Sequence, residues 1–294
     1  MLSILIPTYN YDIFPLVSEL HKQCLGLEIP FEIIVIDDAS TDFIVKNKKI
    51  NNLQYVQYEL LEDNIGRSKI RNLLARKANY NWFLFLDADT IPVYDNFIQN
   101  YISEIKKEEK VIFGGIEYEK KEPNPDQLLR WIYGRSREAI PAEKRKINPN
   151  ESALTSNLLI QKNVFVANQF DESITNYGYE DLVFLSDLKK KGILVKHIHN
   201  PTFHLGLECS QQFLNKTKIA LENLKSITQN TNLEHSESKI LKVHALLNKL
   251  HLTLFVSFLF KKSERTLTNN LFSSKPSLLL FDLYKLGYYC SIKS

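Results

Sequence analysis

The sequence of 294 residues has little of what marks fibrous, disulfide-rich or disordered chains. It holds nine glycines and ten prolines, too few for collagen-like chain or long low-complexity segments. Its three cysteines, Cys24, Cys209 and Cys290, lie far apart, with no Cys-x-x-Cys or Cys/His spacing. That distribution argues against a zinc site and favours free thiols in a reducing compartment.

We also expect no segment in this sequence that exports or anchors the chain. The start, MLSILIPTYN, has no basic region and no cleavage site, so we expect no signal peptide. The most apolar later run, Leu250 to Phe260, is shorter than the roughly 20 residues that a membrane-spanning helix needs. The 44% of hydrophobic residues is typical of a globular protein, and the cysteine pattern favours a cytoplasmic one. The length fits one large domain with an appendage, or two small domains.

Charge is unevenly distributed along the chain. Residues 206–294 hold 12 Lys and Arg against 6 Asp and Glu, whereas residues 1–205 carry a net charge of −3. Two interpretations stay open: solvated helix faces, or a tail that binds an anionic membrane surface or an acidic acceptor. Likewise, the apolar stretch 245–260 before Lys261 and Lys262 fits either a packed helix or peripheral membrane docking. Without a recognisable aromatic platform, we expect no nucleic-acid binding.

Apolar runs alternate with helical periodicity over the first 200 residues. Strands are predicted over 2–6, 33–36, 53–58, 82–86, 111–118 (interrupted by Gly114-Gly115), 153–160 and 193–198. Helices are predicted after Asp12 and over 65–78, 126–137 and 179–191. This alternation predicts an α/β fold with a mostly parallel sheet flanked by helices. The polar segment 138–150 is predicted to be a mobile loop. Helices near 211–228, 238–260 and 277–289 predict a C-terminal helical extension, so we expect domains over 1–206 and 207–294.

Polar residues follow three of the predicted strands. They are the clusters Thr8-Tyr9-Asn10, Asp37-Asp38 and Asp87-Ala88-Asp89. In open α/β sheets ligands bind beyond the carboxyl ends of the strands. The three clusters therefore predict a binding site at one edge of the sheet.

The segment FLFLDADT carries the strongest local signal. Asp87 and Asp89 are two residues apart, so in an extended segment both carboxylates point the same way. Such oxygen donors hold Mg²⁺ or Mn²⁺, with diphosphate oxygens completing the coordination. The alternative is a turn at the strand end, in which the aspartates cap a helix.

Two further segments fit a nucleotide. In IVIDDAST, Asp37 or Asp38 could accept a hydrogen bond from a base, or simply form a turn. In NIGRSKIRN, Gly66 permits close approach of the backbone, and Arg67 and Arg71 place positive charge near a helix start. The Gly-Lys-Ser/Thr of a phosphate-binding P-loop is missing, and a solvated basic helix face is the alternative.

Acids and histidines complete the candidate set. In YGYEDLVF, Glu180 and Asp181 either complement the helix dipole or include a general base for a sugar hydroxyl. His204 in NPTFHLG could bind a metal or phosphate, although spacing alone does not rank it above His197 and His199.

Taken in order, SILIPTYN, EIIVIDDAST, NIGRSKIRN, FLFLDADT, GYEDLVF and FHLG resemble glycosyltransferase family 2 over residues 1–206. The resemblance implies the GT-A fold, a Rossmann-like nucleotide-binding domain. It also implies a metal-dependent enzyme that moves a sugar from a UDP-, GDP- or dTDP-sugar, UDP favoured, to an acceptor hydroxyl with inversion.

The resemblance also implies roles for individual residues. Asp181 would be the catalytic base, and Glu180 would hold the acceptor or the donor sugar. Mn²⁺ or Mg²⁺ would be bound by Asp89, Asp87 and His204, with Asp89 the direct ligand. The nucleotide-binding residues would be Pro7, Thr8, Tyr9, Asp37, Asp38, Asn64, Gly66, Arg71, Asp87 and Ala88, with Tyr9 stacked on the base.

Departures from the family pattern narrow these expectations. The sequence has neither a QxxRW motif nor a pair of transmembrane helices, which favours limited additions over processive synthesis. We expect a glycan or lipid-linked glycan acceptor in bacterial surface polysaccharide assembly, and peripheral contact with the inner face of the cell membrane. Two alternatives remain: a sugar-nucleotide pyrophosphorylase, although IPTYN lacks its Gly-rich loop, and a catalytically silent carbohydrate-binding or scaffold subunit.

Overall fold

A computed structural model describes residues 1–105, 109–230, 233 and 238–292. Internal contacts divide the chain into two compact units. The first unit comprises Met1–Glu119, Ala139–Thr175 and Glu180–Gly206, and the second unit comprises Lys120–Glu138, Asn176–Tyr179 and Leu207–Ser294. These units are defined by contacts. The division into separate domains over 1–206 and 207–294 stays a prediction.

The secondary structure alternates between strands and helices up to residue 204. The elements to residue 117 are β1 (Leu2–Thr8), α1 (Phe14–Leu25), β2 (Phe31–Asp37), α2 (Ile44–Asn47), β3 (Val56–Leu60), α3 (Arg67–Lys77), β4 (Trp82–Leu86), β5 (Thr90–Pro92), α4 (Phe97–Ile105), β6 (Val111–Phe113) and β7 (Ile116–Glu117). They are followed by α5 (Leu128–Arg137), α6 (Ala142–Arg145), β8 (Asn157–Gln161), α7 (Lys162–Val166), α8 (Glu180–Lys190), β9 (Lys196–His197) and β10 (Thr202–His204). The C-terminal helices are α9 (Ser210–Asn230), α10 (Lys239–Lys249), α11 (Thr253–Leu271) and α12 (Leu278–Ser291).

The main sheet of the first unit has the strand order β3-β2-β1-β4-β8-β6-β9. In the described part of the chain, β8 alone runs antiparallel to its neighbours β4 and β6. Strand β1 lies between β2 and β4, with Ile4 opposite both Ile33 and Leu84, and it is almost entirely buried. The predicted α/β fold with a mostly parallel sheet and a C-terminal helical extension is confirmed. A smaller sheet, β5-β10-β7, belongs to the same unit.

Helix α1 follows its sequence pattern. Leu16, Val17, Leu20 and Cys24 recur at helical spacing, and all four are buried in the main core. Full burial of each aliphatic side chain contributes about 1.5–3 kcal/mol. Asp12 precedes the helix and accepts a hydrogen bond from the backbone N–H of Phe14 at 3.2 Å. The apolar face therefore fixes α1 against the sheet.

The predicted strand over residues 111–118 is two strands in two different sheets. The break falls at the glycine pair, where Gly115 has a φ of +106°. A Cβ on Gly114 would lie 2.3 Å from the carbonyl oxygen of Asn200. The predicted interruption at Gly114-Gly115 is therefore confirmed, because close packing and a left-handed φ break the extended chain there, and the structure adds that the two halves belong to separate sheets.

The segment that was predicted to be a mobile loop is held by a buried arginine. Residues 142–145 form α6, and Arg145 is only 2% exposed. Its guanidinium donates hydrogen bonds to the carbonyl oxygens of Gly114 at 3.1 Å and Ile198 at 2.9 Å. The centre of this segment is therefore a packed element, because a buried charged group fastens it to two neighbouring chain segments.

The second unit has its own apolar cluster, formed by Leu129, Leu214, Phe260, Leu271, Phe281 and Tyr284. Gly287 allows α12 to approach α11, because a Cβ there would lie 2.7 Å from Phe260. The helix predicted over 238–260 is two helices, broken around His251, which has a φ of +57°. In the described residues no one helix has the length and apolarity to cross a membrane, whereas α10 and α11 meet both criteria as a pair bent by 117°.

Candidate functional site

The carboxyl ends of β1, β2 and β4 meet at one edge of the main sheet. The backbone N–H of Asp38 donates to the carbonyl of Thr8 at 2.9 Å, so the first two polar clusters are adjacent. Strand β4 lies on the other side of β1 and ends just before Asp87. The structure therefore brings together the segments after all three strands.

Asp38 holds the loop that leads into α3. Its carboxylate accepts hydrogen bonds from the backbone N–H groups of Ile65 at 2.7 Å and Gly66 at 3.1 Å, and Asn64 donates to its carbonyl. Burial raises the pKa of the Asp38 carboxyl, and neighbouring Asp37 adds to the rise, while the two N–H donors oppose it. Asp38 therefore couples the end of β2 to the start of α3.

Asp37 has a different environment from Asp38. It is fully buried and accepts hydrogen bonds from the Tyr58 hydroxyl at 2.5 Å and the Ser40 N–H at 2.9 Å. Asp38 keeps 6% of its surface exposed. Asp37 thus stabilises the turn after β2, and Asp38 is the more exposed residue of the adjacent pair.

A buried arginine connects α3 with α8. Arg71 is 2% exposed and donates to the Asp87 carboxylate at 2.9 Å, and its other terminal nitrogen lies 3.9 Å from Glu180. Arg67 donates to the same Glu180 oxygen at 3.3 Å. Within the described residues, Nε and Nη1 of Arg71, Oε2 of Glu180 and Oγ1 of Thr8 are buried without a hydrogen-bond partner. Because buried polar groups are normally paired, these atoms can receive a polar ligand.

Asp89 and His204 form the second part of the site. Thr90 lies opposite His204 in the pairing of β5 with β10, and the Leu205 N–H donates to the Asp89 carbonyl at 2.8 Å. This pairing places Nε2 of His204 3.4 Å from Oδ2 of Asp89. A Cβ on Gly206 would lie 2.2 Å from that carboxylate oxygen, so only glycine leaves room for it.

Carboxylate oxygen and imidazole nitrogen are donors that suit Mn²⁺, and the oxygen also suits Mg²⁺. One oxygen of Asp87 is already bonded to Arg71, which leaves Asp89 and His204 as the closest pair of donors. Among the residues that the structure describes, no three or more His, Cys, Asp or Glu side chains are grouped to hold a metal by themselves. The residues present therefore fit a divalent cation whose coordination is completed by ligand oxygens such as those of a diphosphate.

Asp181 lies in the first turn of α8 and is oriented by Thr155. The Thr155 hydroxyl donates to one carboxylate oxygen at 2.6 Å, and its backbone N–H donates to the other at 3.2 Å. Thr155 precedes β8, and because β8 is antiparallel to β4, its amino end lies beside the carboxyl end of β4. The Asp87 N–H accordingly donates to the Ser156 carbonyl at 3.2 Å.

The three candidate histidines lie in different places. His197 is buried, contacts the Pro149 carbonyl at 2.8 Å, and has a pKa lowered to about 4, mainly by burial. His199 contacts the Tyr94 hydroxyl at 2.8 Å. His204 alone of the three faces Asp89.

Sequence reasoning missed several residues at the site. Tyr118 stacks on His204 with ring centroids 5.3 Å apart, Tyr11 lies near enough for Asp89 to raise its pKa together with burial, and Thr155 holds Asp181. Burial is the larger cause at Tyr11. Tyr11 follows the Thr8-Tyr9-Asn10 cluster and could have been included with it, but Tyr118 and Thr155 have no local signal.

The remaining predicted residues flank these groups. Tyr9 is 55% exposed, Thr8 is buried, and Pro7 and Ala88 are partly buried at the ends of β1 and β4. Gly66 has a φ of +83°, which favours glycine at the start of α3. All the predicted site residues thus belong to the first unit.

Comparison with known proteins supports the resemblance. The family model Glycosyl transferase family 2 matches residues 3–163, more than half of the chain. A curated relative, an uncharacterized glycosyltransferase from Haemophilus influenzae, is 34% identical over 91 residues, which are 30% of this chain and 29% of the relative. The match therefore spans less than a third of that relative's length.

Solved structures share the fold at low identity. S. aureus TarS 1–349 matches with a TM-score of 0.52 and 17% identity, and its complex with UDP matches with a TM-score of 0.52 and 16% identity. Both matches cover 99% of this chain and 88% of the solved chain. A mannosyltransferase, PcManGT from Pyrobaculum calidifontis in complex with GDP-Man and Mn²⁺, has a TM-score of 0.56 and 13% identity, with 98% and 84% covered. The match to another crystal structure of S. aureus TarS covers 83% of this chain and 42% of that chain, so this chain spans less than half of that protein's length. The fold is thus the expected GT-A type, and the chain belongs to glycosyltransferase family 2.

Proposed function

We propose that this chain transfers a sugar from a nucleotide diphosphate sugar to an acceptor hydroxyl, with inversion at the anomeric carbon. The observation that carries the proposal is the meeting of three groups at one sheet edge. They are the Asp89–His204 pair, buried Arg71 with unpaired nitrogens, and Asp181 held by Thr155. A donor diphosphate, a cation and an acceptor hydroxyl need partners of these three kinds.

The nucleotide would bind at the ends of β1 and β2. Tyr9 is 55% exposed there, so its ring can stack on a base, and Asp38 at the end of β2 would accept a hydrogen bond from the edge of the base. Asn64 and Gly66 lie in the loop that Asp38 holds. We infer a UDP-sugar as the donor, because TarS 1–349 was solved with UDP. PcManGT was solved with GDP-Man, so a GDP-sugar is the donor to compare with it by experiment.

The diphosphate would lie between Arg71 and the Asp89–His204 pair. Asp89 and His204, with the free oxygen of Asp87, would hold Mn²⁺ or Mg²⁺, which when bound stabilises negative charge on the leaving diphosphate. Nε and Nη1 of Arg71, which have no hydrogen-bond partner among the described residues, would donate to diphosphate oxygens. Both interactions strengthen as the leaving group gains charge, so they favour the transition state over the ground state.

Asp181 would accept the proton of the acceptor hydroxyl as that oxygen attacks the anomeric carbon from the face opposite the nucleotide. The two hydrogen bonds from Thr155 fix the direction of the carboxylate, which positioned proton transfer requires. Glu180, held between Arg67 and Arg71, would bind hydroxyls of the donor or acceptor sugar through its unpaired oxygen.

We further propose a glycan or lipid-linked glycan as the acceptor, in assembly of a bacterial surface polysaccharide. The support for this step is the family resemblance, without a contribution from particular residues. A panel of free and lipid-linked acceptors with the identified donor would test it by product mass.

The first experiment is a screen of UDP-, GDP- and dTDP-sugars by thermal shift and by nucleotide release, each with and without Mn²⁺. We expect metal-dependent stabilisation and slow hydrolysis for one donor. Asp89→Asn should abolish both responses, whereas the control Asp95→Asn, an exposed acid outside the site, should retain them. A folded chain that responds to none of the donors would favour a scaffold subunit, and pyrophosphate-dependent turnover would favour a pyrophosphorylase.

A further inference from the structure

Helices α10 and α11 leave large apolar side chains exposed on one surface of the second unit. We define the docking face as Val243, Leu246, Leu250, Leu252, Leu254, Phe255, Phe258 and Leu259, each between 41% and 85% exposed. Soluble domains rarely expose a contiguous apolar patch of this kind without a binding role.

The spacing shows that the docking face is the outer side of both helices. On α10 and its C-cap, residues 243, 246 and 250 recur every three or four positions, and on α11 residues 254 and 258 do the same. The opposite sides are packed, because Leu241 of α10 and Phe260 of α11 are buried. The exposed apolar residues are therefore surplus to the core that holds the helices in place.

Positive charge surrounds the docking face. Residues 239–266 contain six basic side chains, Lys239, Lys242, Lys249, Lys261, Lys262 and Arg265, all exposed, and one acid. That acid, Glu264, accepts hydrogen bonds from Lys218 at 3.2 Å and Tyr284 at 3.1 Å on the packed side. Residues 239–266 thus carry an excess of positive charge, and their one acid, Glu264, is already paired with Lys218.

A lysine side chain at this surface contacts an apolar residue. The Lys262 ammonium lies 4.4 Å from the centre of the Phe258 ring. The charged end of Lys262 therefore contacts the aromatic ring directly, as a cation–π pair at the basic edge of the docking face.

We propose that the docking face binds the surface of an anionic lipid bilayer. Leu254, Phe255 and Phe258 would enter the boundary between headgroups and acyl chains, and Lys261, Lys262 and Arg265 would contact lipid phosphates. Helices that lie in the interface plane combine an apolar face with a basic polar face in this way. The 117° bend lets two short helices lie along the surface without crossing the bilayer.

Charge favours lipid over a second copy of this chain. In a two-fold dimer the same surface meets itself, so the basic rims of both copies would face each other. Juxtaposed like charges cost free energy, whereas anionic headgroups neutralise the rim.

The test is co-sedimentation of the full chain with phosphatidylcholine vesicles and with vesicles that also contain phosphatidylglycerol, at low and high salt. We expect binding to the anionic vesicles, weakened at high salt. Leu254→Asn with Phe258→Asn should lower the partition coefficient on the order of tenfold or more, because two apolar groups that would enter the bilayer are lost. Lys261→Gln with Lys262→Gln should lower it about tenfold at low salt.

Matched controls come from the first unit. Val45 is 80% exposed, so Val45→Asn removes an equally exposed apolar group, and Lys48→Gln with Lys49→Gln removes two exposed lysines. These controls should bind vesicles as the unaltered chain does, and far-ultraviolet circular dichroism should show all variants folded.

Three results would overturn the proposal. The first is no binding to anionic vesicles at low salt, and the second is equal loss of binding in the controls. The third is a dimer in sedimentation velocity that Leu254→Asn with Phe258→Asn converts to monomer while the unaltered chain ignores vesicles. That result would identify the docking face as an interface between copies.

Discussion

The two units use their apolar side chains differently. In the first unit, strands such as β1, β2 and β4 are buried along their whole length, and the polar residues that follow them form the candidate site. In the second unit, α10 has a single buried residue, Leu241, and α11 leaves Leu254 85% exposed. A sheet covered on both faces concentrates chemistry at its edge, whereas helices packed on one side keep an outer face that can bind a partner.

The largest effect should come from Asp181→Asn in the first unit. An amide does not accept the acceptor proton, so turnover should fall by about 10²–10⁴-fold while the dissociation constant of the donor stays unchanged. Steady-state kinetics and calorimetric titration of the donor would measure the two quantities. Asp187→Asn is the control, because Asp187 lies on the same helix, is exposed, and forms an ion pair with the exposed Lys190.

Vesicle binding sharpens this result. Asp181→Asn should bind anionic vesicles as the unaltered chain does, because the docking face lies in the other unit. If donor affinity fell as far as turnover, Asp181 would be a binding residue and the assignment would be wrong.

Gly206→Ala should weaken the binding of the metal ion. The new Cβ would displace Oδ2 of Asp89, from which it would lie 2.2 Å away, and so separate Asp89 from His204. We expect the apparent Mn²⁺ affinity for donor hydrolysis to fall about 10- to 100-fold. A titration of activity against Mn²⁺ would measure it, with Gly26→Ala as the control, because a Cβ at Gly26 meets nothing closer than 3.5 Å. Unchanged Mn²⁺ dependence would place the cation elsewhere.

The first unit should also lose stability in acid through His197. Burial lowers its pKa from 6.5 to about 4, so the folded state binds fewer protons than the unfolded state between these values. The free energy of unfolding therefore falls as the pH drops from 6.5 towards 4, by roughly 3 kcal/mol at most. Urea unfolding at several pH values would show a flatter dependence for His197→Gln, and the same dependence for the exposed control His251→Asn.

The smallest expected effect concerns packing in the second unit. Gly287→Ala should lower the free energy of unfolding by about 1–3 kcal/mol, because its Cβ would lie 2.7 Å from Phe260. Thermal unfolding would measure the loss, and Leu279→Ala, at a position 69% exposed on α12, should change little. Donor binding by Gly287→Ala below its unfolding temperature should persist. Loss of donor binding there would show that the donor site depends on packing in the second unit.

Part of the fold was predictable from local pattern alone. Strand β4 has the predicted bounds, and the predicted helix after Asp12 is present as α1, with its buried residues at helical spacing. A buried strand or an amphipathic helix shows its periodicity in consecutive positions of the sequence. Strand β3 begins later than predicted, at Val56, because Tyr55 has a φ of +63° that an extended run does not reveal. Boundaries therefore depend on local backbone geometry that composition only weakly specifies.

By itself, the sequence determined the alternation of strands and helices, the carboxylates at the strand ends and the family. Tertiary structure decided which residues share the site. The antiparallel β8 places Thr155 beside Asp181, the pairing of β10 with β5 selects His204 over His197 and His199, and Gly206 leaves room for Asp89. The physical reason is range: periodicity records which side of an element is buried, whereas contacts between residues from 26 to more than 100 positions apart arise only when strands pair and close packing excludes the alternatives.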